Sequence, residues 1–442
     1  MAPATSNREP IVAACFGVIV AIVLTKMGNP VIFKNMEVAP SNLAELILAT
    51  WPANWYIRAF AISVLLVISA ALGSPDALNR LKRVPLAVTV SLAAWVFWLT
   101  LSYPKSVGPD LTALAYPHLV VSGVLIFSAA VLLGTDRSST LFFRIMILAF
   151  AFALWQGLDQ HNGGLEATRK AFYESPGWEN APPEMKLKVA SNRIFGPFVY
   201  PNTFAGAILI WAPVLSLALW DWTKRLPSIV QKVLVGFFAY ATIACFFWTG
   251  SKAGWLIAIA VFVVGLMHLQ NLKRKAKIAI IAGVLVLGLA GFAYKFRSYF
   301  EKGATSANAR LIYWKAAVQV ANAHPISGAG PGTFARTFAP IKPPEAEMAR
   351  LVHNDYLEQA CDSGWPAFVF FVGLIGSVLY FSHEAVRKSP FHLAAWLGVL
   401  GWALQSCVEF GLYIPAISWS AFILIGWLLG SRIGIDTVRP AK

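Results

Sequence analysis

The chain has 442 residues, of which 57% are hydrophobic and only 13% charged. Soluble domains carry about 25% charged residues, so a large part of this chain must face lipid, and a soluble globular enzyme is excluded. The 36 Lys and Arg against 21 Asp and Glu give a formal charge of +15. No basic helix or aromatic-basic groove accompanies that excess, so it points to lipid headgroups beside membrane helices and not to nucleic acid.

Apolar segments fall at about 10–27, 56–73, 86–103, 116–134, 142–158, 201–222, 232–249, 254–269, 278–295, 364–383, 392–412 and 414–433. Each approaches the length needed to cross about 30 Å of hydrocarbon at 1.5 Å per residue. The fold expected is an all-α polytopic membrane protein of about twelve transmembrane helices. The first segment follows Arg8 and has no A-x-A-like cleavage site behind it, so it reads as an uncleaved signal anchor.

Short connections set the orientation. Arg80, Lys82 and Arg83 follow the second span, and Lys224, Arg225 and Lys232 the sixth. Lys273, Arg274, Lys275 and Lys277 follow the eighth, and Arg387 and Lys388 the tenth. With Arg8 and Arg432 near the ends, the positive-inside bias puts both termini in the cytoplasm. Two long polar stretches, about 159–193 and 296–363, then fall on the outer side. The division is 1–295 (nine spans, with the loop at 159–193), 296–363 (an outer loop expected to form an ordered helical cap) and 364–442 (three spans and a tail). Within the second loop, Leu311, Trp314, Val318 and Ala321 recur at helical spacing and His324-Pro325 ends the pattern. A second helix is expected to start near Val352 and to run into the tenth span.

The chemistry-bearing residues collect on that outer side. His353, in His353-Asn354-Asp355-Tyr356-Leu357, opens the second loop helix, and a neutral imidazole there can take a proton from a sugar hydroxyl. A plain helix-cap role is the competing reading. His161 and His324 are the other outer histidines, and helix termination accounts for His324. Arg193, Lys252 and Arg310 are cations from three separate elements, the set a diphosphate needs; headgroup snorkelling is the alternative for any one of them. Gly250 and Gly254 flank Lys252 and let a ligand or backbone approach closely. Glu409 is the clearest ionisable residue near a span, placed at the outer end of the eleventh. The outer acids are scattered, with no D-x-D or H-x-x-x-H, and no nucleotide fingerprint occurs, so neither metal nor cofactor is expected. The four cysteines show no C-x-x-C spacing.

Taken in order, these segments are Arg193-x-x-Gly196…Pro201-Asn202, Ser251-Lys252-x-Gly254, Arg310-x-x-x-Trp314…His324-Pro325-x-x-Gly328-x-Gly330, and His353-Asn354-x-Tyr356-Leu357…Gly364. The pattern resembles the O-antigen ligase and polymerase superfamily of bacterial inner membranes, from about Arg193 to Pro415. It departs in having Ser251-Lys252 where members often have Ser-Arg, which keeps the charge and loses the bidentate fork.

The resemblance implies a helical membrane domain with a periplasmic helical cap, similar to the C class of glycosyltransferases. It implies an inverting, metal-independent transfer of a glycan from undecaprenyl diphosphate to the outer-core sugar of lipid A-core, in the bacterial cell inner membrane, with the active site on the periplasmic face. His353 would be the base, Arg193, Lys252 and Arg310 would hold the diphosphate, and Asn354, Tyr356, Glu409 and His324 would support them. A polymerase that joins lipid-linked repeat units shares the chemistry and differs in acceptor. A flippase or exporter of lipid-linked glycans is the rival from another class; it would place ionisable residues near mid-membrane.

Overall fold

The structure, a computed structural model, describes residues 8–33, 39–174, 177–181, 183–269, 272–301, 303–386 and 389–431. Arg387, Lys388 and Arg432, which entered the orientation argument, lie outside the described residues. The described residues form helices and no β-strand; one isolated bridge joins Gly28 to Phe198.

The main helices, in chain order, are α1 (Arg8–Lys26), α2 (Tyr56–Gly73), α3 (Leu86–Ser102), α4 (Pro109–Leu132), α5 (Asp136–Asp159), α6 (Pro201–Thr223), α7 (Ser228–Trp248), α8 (Lys252–His268), α9 (Arg274–Lys295), α10 (Thr305–Ala323), α11 (Phe334–Phe338), α12 (Asp355–Val386), α13 (Pro390–Gln405) and α14 (Pro415–Gly430). Among the described residues nine helices are long and apolar enough to cross a membrane. They correspond to α1–α7, α9 and α12. The other three expected spans are α8, α13 and α14, at 17, 16 and 16 residues. Helix length alone therefore supports nine of the twelve expected crossings.

Helix starts follow from local chemistry. Proline occupies the first turn of α4, α6, α13 and α14, where its missing N–H costs no hydrogen bond. Thr135, Ser251 and Ser389 accept a backbone N–H at the start of α5, α8 and α13.

The core is built around α14, in which every residue is buried. It packs on α4, while α1 packs on α5, α6 on α13, and α3 on α12. Gly426 lies directly against the Ile126 carbonyl, and Gly398 against that of Ile210, so small residues bring these helix backbones together. At the periphery, α9 packs mainly on α8 and buries no residue.

At one end of the bundle, α10, α11 and the chain to residue 354 form a smaller layer. It has its own apolar cluster of Tyr313, Ala317, Val320, Phe334, Phe338 and Val352, and α10 packs against α12. The expected second loop helix is present, beginning at Asp355. It bends at Ser363 and Gly364, where φ is −137° and +80°, which separates its first two turns from the membrane stretch that follows.

Candidate functional site

Arg193 lies in the chain leading into α6, and the side chain of Gln160 at the end of α5 holds that segment. Its Oε1 accepts the N–H groups of Phe195 (2.9 Å) and Gly196 (2.8 Å). The guanidinium then donates Nε–H to the Thr249 carbonyl (2.6 Å) and Nη2–H to Asn202 Oδ1 (2.6 Å). It crosses the turn at Gly250, whose φ is +59° and where a Cβ would come within 3.2 Å of Arg193 Nε. Glycine is needed at this position for both reasons. Burial pushes the Arg193 guanidinium below its ordinary value; Glu409 opposes that shift and Arg310 reinforces it.

Lys252 follows immediately, at the first position of α8, because the Ser251 hydroxyl accepts the Gly254 N–H (3.2 Å) and starts the helix there. Its ammonium lies 4.2 Å from the Tyr299 ring centroid and 5.4 Å from that of Phe296, which are cation–π contacts. Lys295, a cation that sequence reasoning did not single out, sits beside it over Phe247, within 5.7 Å of the Phe296 centroid.

Arg310 comes from the first turns of α10. It donates Nε–H to the Val408 carbonyl (2.9 Å) and pairs through Nη2 with Glu409 Oε1. Glu409 is the hub. Its Oε1 also accepts the Asn202 amide (2.6 Å), and its Oε2 faces His353 Nδ1 at 3.3 Å. The sequence reading placed Glu409 at the outer end of a span, whereas helix α13 stops at Gln405 and Glu409 sits in the turn that follows. Bonds from Cys407, Val408 and Glu409 N–H groups to Leu404 and Gln405 carbonyls close that turn.

His353 precedes α12 with φ of +57°, a left-handed conformation rare for a residue with a side chain. Asn354 makes this possible as the helix cap: its Oδ1 accepts the N–H groups of Tyr356 (3.1 Å) and Leu357 (3.0 Å). The imidazole lies between Phe410, edge-on at 4.6 Å, and Tyr313, stacked at 5.9 Å. It is partly exposed, at 28% for the side chain. With Nδ1–H donated to Glu409, Nε2 carries the lone pair available to a substrate proton.

The structure therefore gathers Arg193, Lys252, Arg310, Glu409 and His353 at one end of the bundle, each cation within electrostatic reach of the others. Of the three cations only Arg310 has a carboxylate partner among the described residues, so two positive charges are left without one. Asn354 and Tyr356 serve the backbone: Asn354 caps α12, and the Tyr356 hydroxyl donates to the Ala403 carbonyl (2.9 Å). His324 is exposed at the end of α10, about 21 Å along the helix from Arg310 at 1.5 Å per residue, and its carbonyl accepts the Gly328 N–H (2.9 Å). His161 is exposed and stacks on Trp248 at 3.6 Å. Asn202 is the residue sequence reasoning passed over as a site member. Its amide links the Arg193 guanidinium to the Glu409 carboxylate.

Fold and site together define a multi-pass helical membrane protein with three cations, a carboxylate and an imidazole clustered at one bundle end. Residues 236–372 match the family model Wzy_C, O-antigen ligase, which supports membership of the O-antigen ligase/polymerase superfamily. The matched stretch takes in Lys252, Arg310 and His353, whereas Arg193, Asn202 and Glu409 join them from outside it. No curated protein matches the chain.

Proposed function

We propose that the protein is an inverting glycosyltransferase that moves O-antigen polysaccharide from undecaprenyl diphosphate to the outer-core sugar of lipid A-core. The observation that carries this reading is the charge imbalance beside the imidazole. Arg193 and Arg310 spend part of their donor capacity on neutral carbonyls and an amide, Lys252 rests on aromatic rings, and only Glu409 offsets them. A diphosphate supplies the missing negative charge, and the same cations stabilise the charge that grows on it as it leaves.

Glu409 accepts Nδ1–H and fixes the tautomer, so His353 Nε2 takes the proton from the acceptor hydroxyl. The acceptor oxygen attacks the anomeric carbon, the bond from that carbon to the diphosphate oxygen breaks, and the prenyl diphosphate departs with the electron pair. One displacement inverts the anomeric centre. The small layer formed by α10 and α11 would act as a periplasmic cap that keeps water from the donor. The chemistry uses no metal, the site faces the periplasm of a bacterial inner membrane, and both termini lie in the cytoplasm.

Purified protein mixed with lipid-diphosphate glycan and lipid A-core, with chelator present, tests this. Glycan on lipid A-core is the expected product. Elongation on the prenyl carrier would make it a polymerase, no covalent product would favour an exporter, and loss of transfer on adding chelator would overturn the metal-free chemistry.

A further inference from the structure

The first two turns of α12 carry three acids that this chemistry does not use. Asp355, Glu358 and Asp362 are all fully buried, and none forms an ion pair among the described residues. Asp355 is spent on the Leu412 N–H, at 3.1 and 3.2 Å to its two oxygens. Glu358 Oε2 accepts the Val352 N–H at 2.5 Å, and Asp362 Oδ2 accepts the Gly332 N–H at 2.9 Å and the Tyr413 hydroxyl. Their remaining oxygens, Glu358 Oε1 and Asp362 Oδ1, are buried without a hydrogen-bond partner. The nearby Thr333 N–H donates to the Gly330 carbonyl at 3.2 Å instead.

Glu358 and Asp362 are four residues apart on one helix, so they lie on the same face one turn from each other. Two bare carboxylates there, with no cation, are strongly unfavourable. One proton between the two unpartnered oxygens turns them into donor and acceptor and satisfies both. The consequence reaches His353. Val352, whose N–H Glu358 holds, precedes the histidine with the left-handed φ of +57°, and a strained conformation persists only when its surroundings fix it. Asn354 fixes the turn from the helix side and Glu358 from the loop side.

We propose that Glu358 and Asp362 share one proton, and that Glu358 acts through this pair as a positioning residue for His353. The second part rests on the reading of His353 as the base; the first does not.

Amide substitutions test both. In E358Q the new carbonyl can accept the Val352 N–H while its NH2 donates to Asp362, and D362N is the mirror case. Each single variant keeps every hydrogen bond and should retain kcat within about threefold. In E358Q/D362N the two NH2 groups face each other, and kcat should fall at least about tenfold with donor KM unchanged. E358A should fall similarly and E358Q restore it. Equal loss in the single and double variants, or a double variant as active as the singles, overturns the proposal. Infrared difference spectra of full-length protein give a readout apart from turnover. Wild type should show a protonated-carboxyl C=O band that shifts in D2O and is missing from both E358Q and D362N. Its absence from wild type, or its persistence in both variants, refutes the shared proton. If the band behaves as expected while wild type transfers no glycan, it is the functional reading that fails.

Discussion

At Glu409 burial and charge pull in opposite directions. Burial alone would raise its carboxyl, but the Arg310 guanidinium, His353 and the Asn202 amide outweigh it and hold the group below its ordinary value of 4.5. A carboxyl depressed in the folded state contributes stability that is present above its unfolded value and lost as pH falls through the folded one. Melting of detergent-solubilised protein followed on acidification should show this loss in wild type and not in Glu409→Gln. At neutral pH the same variant leaves Arg310 without its partner and should cost about 2–3 kcal/mol. Asn202→Ala should free Arg193 from the hub and raise donor KM about tenfold, the equivalent of ~1.4 kcal/mol, with a smaller change in kcat. Steady-state kinetics over a donor series measures it. His353 and the three cations were legible in the sequence because charge and a histidine at a helix start stand out on their own. Asn202 stood in the family pattern without a role, because a neutral amide carries no such mark and its partner Glu409 is 207 residues away. Asn354 was read from its neighbour, and the structure explains it by the helix it caps.

Among the elements, the bend in α12 matters most to the site. Gly364 has φ of +80°, and a Cβ there would lie 2.5 Å from the Ile326 carbonyl oxygen. Gly364→Ala should therefore lower stability by at least about 2 kcal/mol, seen as a fall in Tm. It should also disturb Asp362, which the turns before the bend carry, and His353, which leads into them. Span positions were readable from runs of apolar residues, since the bilayer demands length and little else. Helix ends were not. Glu409 read as part of a span because Val408, Phe410 and Leu412 continue the apolar pattern past Gln405, yet the Ser406 to Glu409 turn closes on its own backbone. Helix α13 falls short of its expected segment for the same reason: hydropathy does not say where a helix unwinds into a loop that builds a site.

For the molecule as a whole, the orientation proposed from the basic loops is open to direct test. Cys407 offers a natural probe, because it is exposed and two residues from Glu409. Labelling calls for mildly alkaline buffer, which raises the thiolate fraction. A membrane-impermeant maleimide should modify Cys407 in intact spheroplasts; modification only after permeabilisation would reverse the topology. Exposed Cys15 is the internal control, since it lies within α1 and should stay unlabelled in lipid. The most direct measurement is turnover of purified His353→Ala beside wild type, with binding of the lipid-diphosphate donor followed in the same preparations. The base assignment predicts transfer reduced at least about 100-fold with donor affinity within a few-fold of wild type. Transfer at the wild-type rate would contradict it.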